Sequence, residues 1–198
     1  MRNSYSESEF VLASILKRQI EPAFEMIESI VSNCASQTWE GIGTATPIWQ
    51  QVYHCLFWTE AWLRDYDMAL EYPQWHRDEY RDMKGHCAHT ASKEEMLDYL
   101  HRVKKEALQY IGLHSRSSLL DEIEVAGRKW TICDIVISQI KHLQHHIGYM
   151  NGILRANHDL VARWMGYGEE GLDLEWYGKE ILKKVDIQNE NAKKQNAL

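Results

Sequence analysis

Residues 131–157 read TICDIVISQIKHLQHHIGYMNGILRAN, a stretch in which apolar residues recur at helical spacing. Thr131, followed three residues later by Asp134, is typical of a helix start, and the periodicity continues to about Asn157. Val136, Leu143 and other apolar positions share one side of the helix that this pattern predicts. The stretch therefore indicates a long amphipathic helix and favours a helical fold.

Three earlier segments show the same periodicity, at about 7–31, 46–65 and 92–111. The second opens with Thr46 and Pro47, an N-cap residue and a proline at the first helical position. The third opens with the capping-box pair Ser92 and Glu95. We expect an all-α four-helix bundle with a long connection, residues 71–91, between helices two and three. Residues 119–125 fit either a helix or a strand.

A chain of 198 residues suits a single domain with one core. We place the bundle at about 7–157 and a short helical C-terminal extension at 158–198, and we expect its polar end, QNENAKKQNAL, to be disordered.

Composition excludes several function classes. The formal charge is −7, and no basic stripe suits nucleic acid. No apolar run approaches the roughly 20 residues of a membrane span, and MRNSYSESEF does not resemble a signal peptide. The four cysteines are scattered without a C-x-x-C pair, as in a reducing compartment. We expect a cytoplasmic protein that binds neither nucleic acid nor membrane.

Helical phase separates the three histidines of the fourth helix. His142 and His146 lie one turn apart on the inward stripe, close enough to share one metal ion, whereas His145 lies at the border of that stripe. The second helix offers His54 as a third inward imidazole, provided that helices two and four are neighbours. Spacing alone leaves two interpretations open, a metal site and hydrogen-bonded core histidines.

Four further side chains are predicted to face inward and shape a pocket: Gln50, Trp58, Gln139 and Tyr149. Core packing is the alternative role for each of them. The loop GHCAH, with His86, Cys87 and His89, suggests either a second metal site or a lid over the first. Gly148 and Gly152, one turn apart, suggest a close helix approach within the bundle or across a homodimer interface.

Three motifs, PIWQQVYHCLFWTEAWL (47–63), SKEEMLDYL (92–100) and HLQHHIGYMNGILR (142–155), resemble the DinB-like superfamily of four-helix proteins. The resemblance covers about 7–157. It implies that His54, His142 and His146 bind a divalent metal ion such as zinc or nickel, and that the protein forms a homodimer. Family members commonly carry glutamine where this chain has Tyr149, which puts any role of that glutamine in doubt.

The resemblance extends to thiol-dependent S-transferases. The leading hypothesis is a metal-dependent enzyme that activates water or a low-molecular-weight thiol, of the S-transferase or hydrolase type, acting on a small molecule that the sequence does not identify. The alternatives are a non-catalytic metal-binding or small-molecule-binding stress-response protein and an interaction bundle without metal. Three imidazoles by themselves suit zinc, nickel, copper and iron alike, and no catalytic residue can be assigned.

Overall fold

The computed structural model describes residues 10–41, 47–83, 90–125, 127–166 and 183. Backbone contacts divide the chain into two units, residues 1–166 and 167–198. In the second unit only Lys183, a helical residue, is described. The rest of the predicted C-terminal helix and the GHCAH loop lie outside the described residues, and all the helices and strands whose bounds are known belong to the first unit.

Four long helices form the first unit: α1 (Val11–Asn33), α3 (Ile48–Trp62), α5 (Lys93–Leu113) and α7 (Ile132–Ala156). Three single-turn helices connect them: α2 (Ser36–Trp39), α4 (Asp78–Arg81) and α6 (Arg116–Leu119). Helix α1 packs against α5 and α7, and α3 also packs against both. The predicted all-α bundle is confirmed, and so is the neighbourhood of the second and fourth long helices.

Helix starts follow their local chemistry. At α5 the Glu95 amide donates to Ser92 Oγ over 3.1 Å, and the Ser92 amide donates to Glu95 Oε2 over 2.8 Å. Thr131 and Asp134 form the same reciprocal pair at α7. At α3 the prediction is one residue early, because Pro47 is the N-cap and Ile48 the first helical residue; Thr46 lies outside the described residues. That helix ends at Trp62, before the predicted Asp65.

A two-stranded hairpin lies between α6 and α7. Strands β1 (Glu122–Val125) and β2 (Arg128–Thr131) are antiparallel, and Gly127 in their turn has φ +74°. A positive φ suits glycine because it has no Cβ to clash with the backbone. The ambiguous segment 119–125 thus divides into the end of α6 and the first strand. Since Thr131 ends β2 and also caps α7, the hairpin holds Trp130 beside the first turn of α7.

The core lies between the four long helices, and α3 is buried over most of its surface. Part of the long connection that follows α3 returns to cover it. The Gln50 side-chain amide donates to the Glu79 carbonyl over 3.2 Å, and Tyr53 hydrogen-bonds to His76. This return places α4 next to the face of α3 that carries His54. Among the described helices, none is long and apolar enough to span a membrane.

Candidate metal centre

Three imidazoles meet between α3 and α7. The nitrogens of His54, His142 and His146 lie within 4.8 Å of one another, and the Nε2 atoms of His54 and His142 are 3.4 Å apart. Within the described ranges, no other three histidine, cysteine, aspartate or glutamate side chains converge in this way, and no fourth such side chain joins this cluster. The structure therefore brings together the three histidines that the helical phase had singled out.

Helix geometry and helix packing each contribute part of the cluster. His142 and His146 are four residues apart on α7, so that their side chains lie one turn apart, with ring centroids separated by 4.7 Å. His54 comes from α3, and its ring centroid is 4.8 Å from that of His146 and 5.4 Å from that of His142. Two of the imidazoles are thus placed by the sequence spacing, while the third requires α3 to pack against α7.

Two of the three rings are oriented by carbonyl groups. The Nδ1–H group of His54 faces the backbone carbonyl of Arg81 in α4. The Nδ1–H group of His146 faces the side-chain carbonyl of Gln51, 2.8 Å away. An imidazole that donates through Nδ1 keeps its lone pair on Nε2, and such partners also hold metal-bound histidines in one orientation. Both rings therefore present Nε2 as an acceptor to the centre of the cluster.

Burial keeps the imidazoles in their neutral form. It lowers the pKa of His146 to about 3, with smaller contributions from the other nearby histidines. Burial likewise lowers the pKa of His142 to about 4, and it lowers the pKa of His54. The neutral form is the one that coordinates a metal ion, so that at neutral pH no proton has to be displaced from these rings before binding.

One of the three nitrogen pairs has the spacing that a bound divalent ion requires. Nitrogens that bind one zinc ion at about 2.0–2.1 Å with tetrahedral angles lie about 3.4 Å apart. The Nε2 atoms of His54 and His142 have this separation. Without an ion, His142 can donate through Nε2 to the Nε2 of His54, but its buried Nδ1 then has no hydrogen-bond partner. Water is largely excluded from the site, since His146 is only 5% exposed. The cluster is compatible with metal binding.

A cavity of about 330 Å³ opens next to the cluster. His54 and His142 form one part of its wall, and the predicted pocket residues Trp58 and Gln139 line it as well. The remaining lining residues come from the end of α3, from the hairpin and from the first turns of α7: Trp62, Trp130, Ile135 and Ser138. The histidines are thus accessible from an aromatic pocket.

Two predicted pocket residues lie elsewhere. Gln50 is inward, as expected, but it does not line the cavity, because its side chain is 2% exposed and donates to the Glu79 carbonyl. Tyr149 was expected on the inward face, which is wrong, since its side chain is 44% exposed. The buried stripe of that turn passes through Met150 and Leu154, both 0% exposed, and leaves Tyr149 beside it.

Other residues near the cluster have simple roles. His145 is exposed and does not belong to the cluster, in agreement with its border position on the helix. Cys55 is fully buried, its thiol donates to the Val52 carbonyl, and burial raises its pKa to about 12. A Cys–His nucleophile at His54 is therefore excluded, because the reactive species would be the thiolate.

Several residues of the site were not predicted from the sequence. Gln51 carried a usable signal, since it lies three residues before His54 and so on nearly the same face of α3. Trp62 lies eight residues after His54 on that face, and it too was open to prediction. The Arg81 carbonyl and Trp130 carried no such signal, because they lie outside the long helices and reach the site only through tertiary packing.

The fold and the site together define a class: a four-helix bundle in which two neighbouring helices present three neutral imidazoles to one point. The family model of the DinB superfamily matches residues 19–150. This chain belongs to the DinB superfamily, and the resemblance seen in its motifs is confirmed. No curated protein and no solved structure matched the chain significantly.

Proposed function

We propose that this protein binds one divalent metal ion, zinc or nickel, through Nε2 of His54, His142 and His146, and that it is a metal-dependent enzyme. The observation that carries the proposal is the convergence of three neutral imidazoles beside an open pocket. Catalytic zinc sites have three protein ligands and one position for water or substrate. In the part of the chain that the structure describes, no fourth protein ligand competes for that position.

A bound ion would act as a Lewis acid that lowers the pKa of a coordinated water or of a low-molecular-weight thiol. The chain's own residues prepare for this role. Burial holds the three rings neutral, while Gln51 and the Arg81 carbonyl fix two of them in orientation. Trp58 and Trp130 enclose the space into which a small-molecule substrate would enter. An S-transferase or a hydrolase is the reaction class that this arrangement supports best.

A second candidate is a binding protein without turnover. It is favoured by the residues that line the pocket, because none of the eight is a carboxylate, a lysine or a cysteine. The two histidines among them would bind the ion, which leaves the hydroxyl group of Ser138 as the one side chain of the described lining that could act as a nucleophile. Under this alternative the ion and the pocket hold a small molecule without converting it, for example in a stress response.

Elemental analysis of untagged protein tests metal binding. We expect about one divalent ion per chain in the wild type and its loss in His142→Ala. His145→Ala is the matched control, because it removes an exposed imidazole from the same helix and should retain the ion. Wild-type protein that takes up no zinc or nickel after removal and resupply of metal would refute the proposal.

Measuring substrate turnover distinguishes the proposed enzyme from a binding protein without activity. Two assays suit the two reaction classes. The first is the hydrolysis of p-nitrophenyl acetate. The second is the reaction of added free L-cysteine with chlorodinitrobenzene, in which the cysteine sulfur bonds to the ring and chloride leaves. Activity that is present in the wild type and in His145→Ala, but lost in His142→Ala, supports the enzyme. A metal-loaded protein that is inactive in these assays but binds small molecules supports the alternative.

A further inference from the structure

The pocket beside the histidines is walled by tryptophan. Trp58 and Trp62 extend the face of α3 that carries His54, at spacings of four and eight residues. Trp130 comes from the hairpin, and its ring centroid is 5.9 Å from that of Trp62, with an angle of 57° between the rings. The ring of Trp58 lies 6.5 Å from that of His54. A ligand in this cavity therefore contacts large aromatic surfaces as well as the imidazoles of His54 and His142.

Acidic side chains and the basic side chains lysine and arginine are absent from the lining of the cavity. Among the described residues that line it there is no aspartate, glutamate, lysine or arginine. Away from the ion that the histidines would hold, a charged or strongly hydrated part of a ligand would lose its water and gain only the polar groups of Ser138 and Gln139, which costs free energy. The walls therefore select against sugar-like or charged bodies and favour an uncharged apolar one.

Two residues of the wall hold a buried polar atom without a hydrogen-bond partner, Nδ1 of His142 and the carbonyl oxygen Oε1 of Gln139. Gln139 is 5% exposed, so a ligand donor reaches Oε1 when the side-chain amide turns toward the cavity. A buried acceptor without a donor is unfavourable by about 1–3 kcal/mol. Gln139 lies three residues before His142, so that a donor bound to it would lie about one helical turn from the histidine cluster.

We propose that the pocket binds a flat, uncharged aromatic group that packs against the tryptophan rings and donates an N–H or O–H hydrogen bond to Gln139. This inference rests on the proposed function only in that the aromatic group would belong to the substrate of the same site. It names the substrate class: a planar aromatic compound.

Indole is a suitable probe, because it is flat and uncharged, has one N–H group and does not require a metal ion. Its binding is followed by the eight tryptophan side-chain N–H signals in two-dimensional NMR of the metal-free and the zinc-loaded protein. We expect the signals of Trp58, Trp62 and Trp130 to shift with one common affinity. The signal of Trp164, which is 59% exposed and does not line the cavity, should stay in place.

Two comparisons test the recognition elements. Trp130→Ala should weaken indole binding by about tenfold or more, while the matched control Trp164→Ala leaves it unchanged. 1-Methylindole, which has no N–H group, should bind the wild type about fivefold or more weakly than indole. In Gln139→Met this preference should disappear, because the acceptor is gone while the length of the side chain is kept.

The outcomes separate this inference from the proposed metal site. Wild-type protein that retains zinc but shows no indole shifts, or that binds N-acetylglucosamine as tightly as indole, overturns the aromatic pocket and leaves the metal site standing. If the tryptophan N–H signals shift on addition of indole in a protein that cannot retain zinc or nickel, the metal site is overturned and the aromatic pocket is supported. Because the wild-type signals report the location directly, the test does not depend on the folding of any variant.

Discussion

Replacing His146 with glutamine should remove a large part of the acid sensitivity of the metal-free protein. In the folded chain His146 is 5% exposed and burial lowers its pKa to about 3, whereas an imidazole in the unfolded chain titrates near 6.5. Between about pH 7 and about pH 5 the unfolded state therefore takes up a proton that the folded state does not. Stability is lost as the pH falls, because the group with the depressed pKa is a base.

The magnitude follows from these two pKa values. Over this interval the protonation of one imidazole in the unfolded state lowers the free energy of unfolding by about 2 kcal/mol. His142, whose pKa burial lowers to about 4, contributes about the same amount. Wild-type protein should therefore lose about 2 kcal/mol more than His146→Gln between the two pH values. The double variant His142→Gln/His146→Gln should be less sensitive still.

The assay is urea unfolding in the presence of a chelator, followed by circular dichroism at several pH values for each variant. For each protein, the free energy of unfolding at pH 5 is subtracted from that at pH 7, and these differences are compared between wild type and variant. An effect of the substitution on stability that does not depend on pH cancels in this comparison. His145→Gln, which alters an exposed residue next to His146, should keep the wild-type pH dependence. If wild type and His146→Gln lose the same free energy between pH 7 and pH 5, His146 is not held neutral in the folded state and the reasoning fails.

Three further substitutions test other parts of the structure. Gln51→Leu removes the carbonyl group that accepts the hydrogen bond of His146, and it should weaken zinc binding by about 10- to 100-fold in a competition titration with a chromophoric chelator. Gln109→Leu, on the exposed face of α5, is the control and should keep the wild-type affinity. Equal zinc affinities of the two variants would contradict the orienting role of Gln51. Tyr99→Phe removes the 2.6 Å hydrogen bond to the buried Glu60 carboxylate and should lower the free energy of unfolding, measured by urea denaturation, by about 1.5–3 kcal/mol. Tyr72→Phe, at an exposed tyrosine, is the control and should leave this free energy nearly unchanged. In a monomer, Gly152→Ala should raise the free energy of unfolding by about 0.5–1 kcal/mol, because apart from the helix's own backbone no described atom lies within 4 Å of the added methyl group. A loss of stability together with a fall in apparent mass on sedimentation would instead indicate the predicted homodimer interface.

Gly148 and Gly152 illustrate the limit of a spacing argument. The sequence pattern suggested a close helix approach, but both residues are exposed, and a Cβ atom at either position would meet no other atom of the described chain within 4 Å. Among the residues that the structure describes, no other element approaches either glycine closely, so the prediction of a close approach within the bundle is wrong for these elements. The homodimer stays a prediction.

Local chemistry and periodicity were enough to predict the helices. The capping boxes at Ser92 and Thr131 depend on residues three apart, and the apolar stripes depend on a single repeat, so both can be read without knowledge of the fold. The same reasoning applies to His142 and His146, whose separation by one helical turn is a property of α7 alone. The end of α3 was less predictable, since the apolar pattern continues past Trp62 to Leu63, which is 2% exposed but not helical.

By itself the sequence determined four helices, their capped starts and an inward histidine pair, because these features depend on neighbours within one or two helical turns. Only the tertiary structure decided that His54 meets this pair, that the Arg81 carbonyl and Gln51 orient two of the rings, and that Trp130 closes the pocket. Those contacts join residues far apart in the chain, and two of them come from the connection after α3 and from the hairpin. Such segments have no periodicity from which a direction can be derived, so their positions follow from packing against the helices alone.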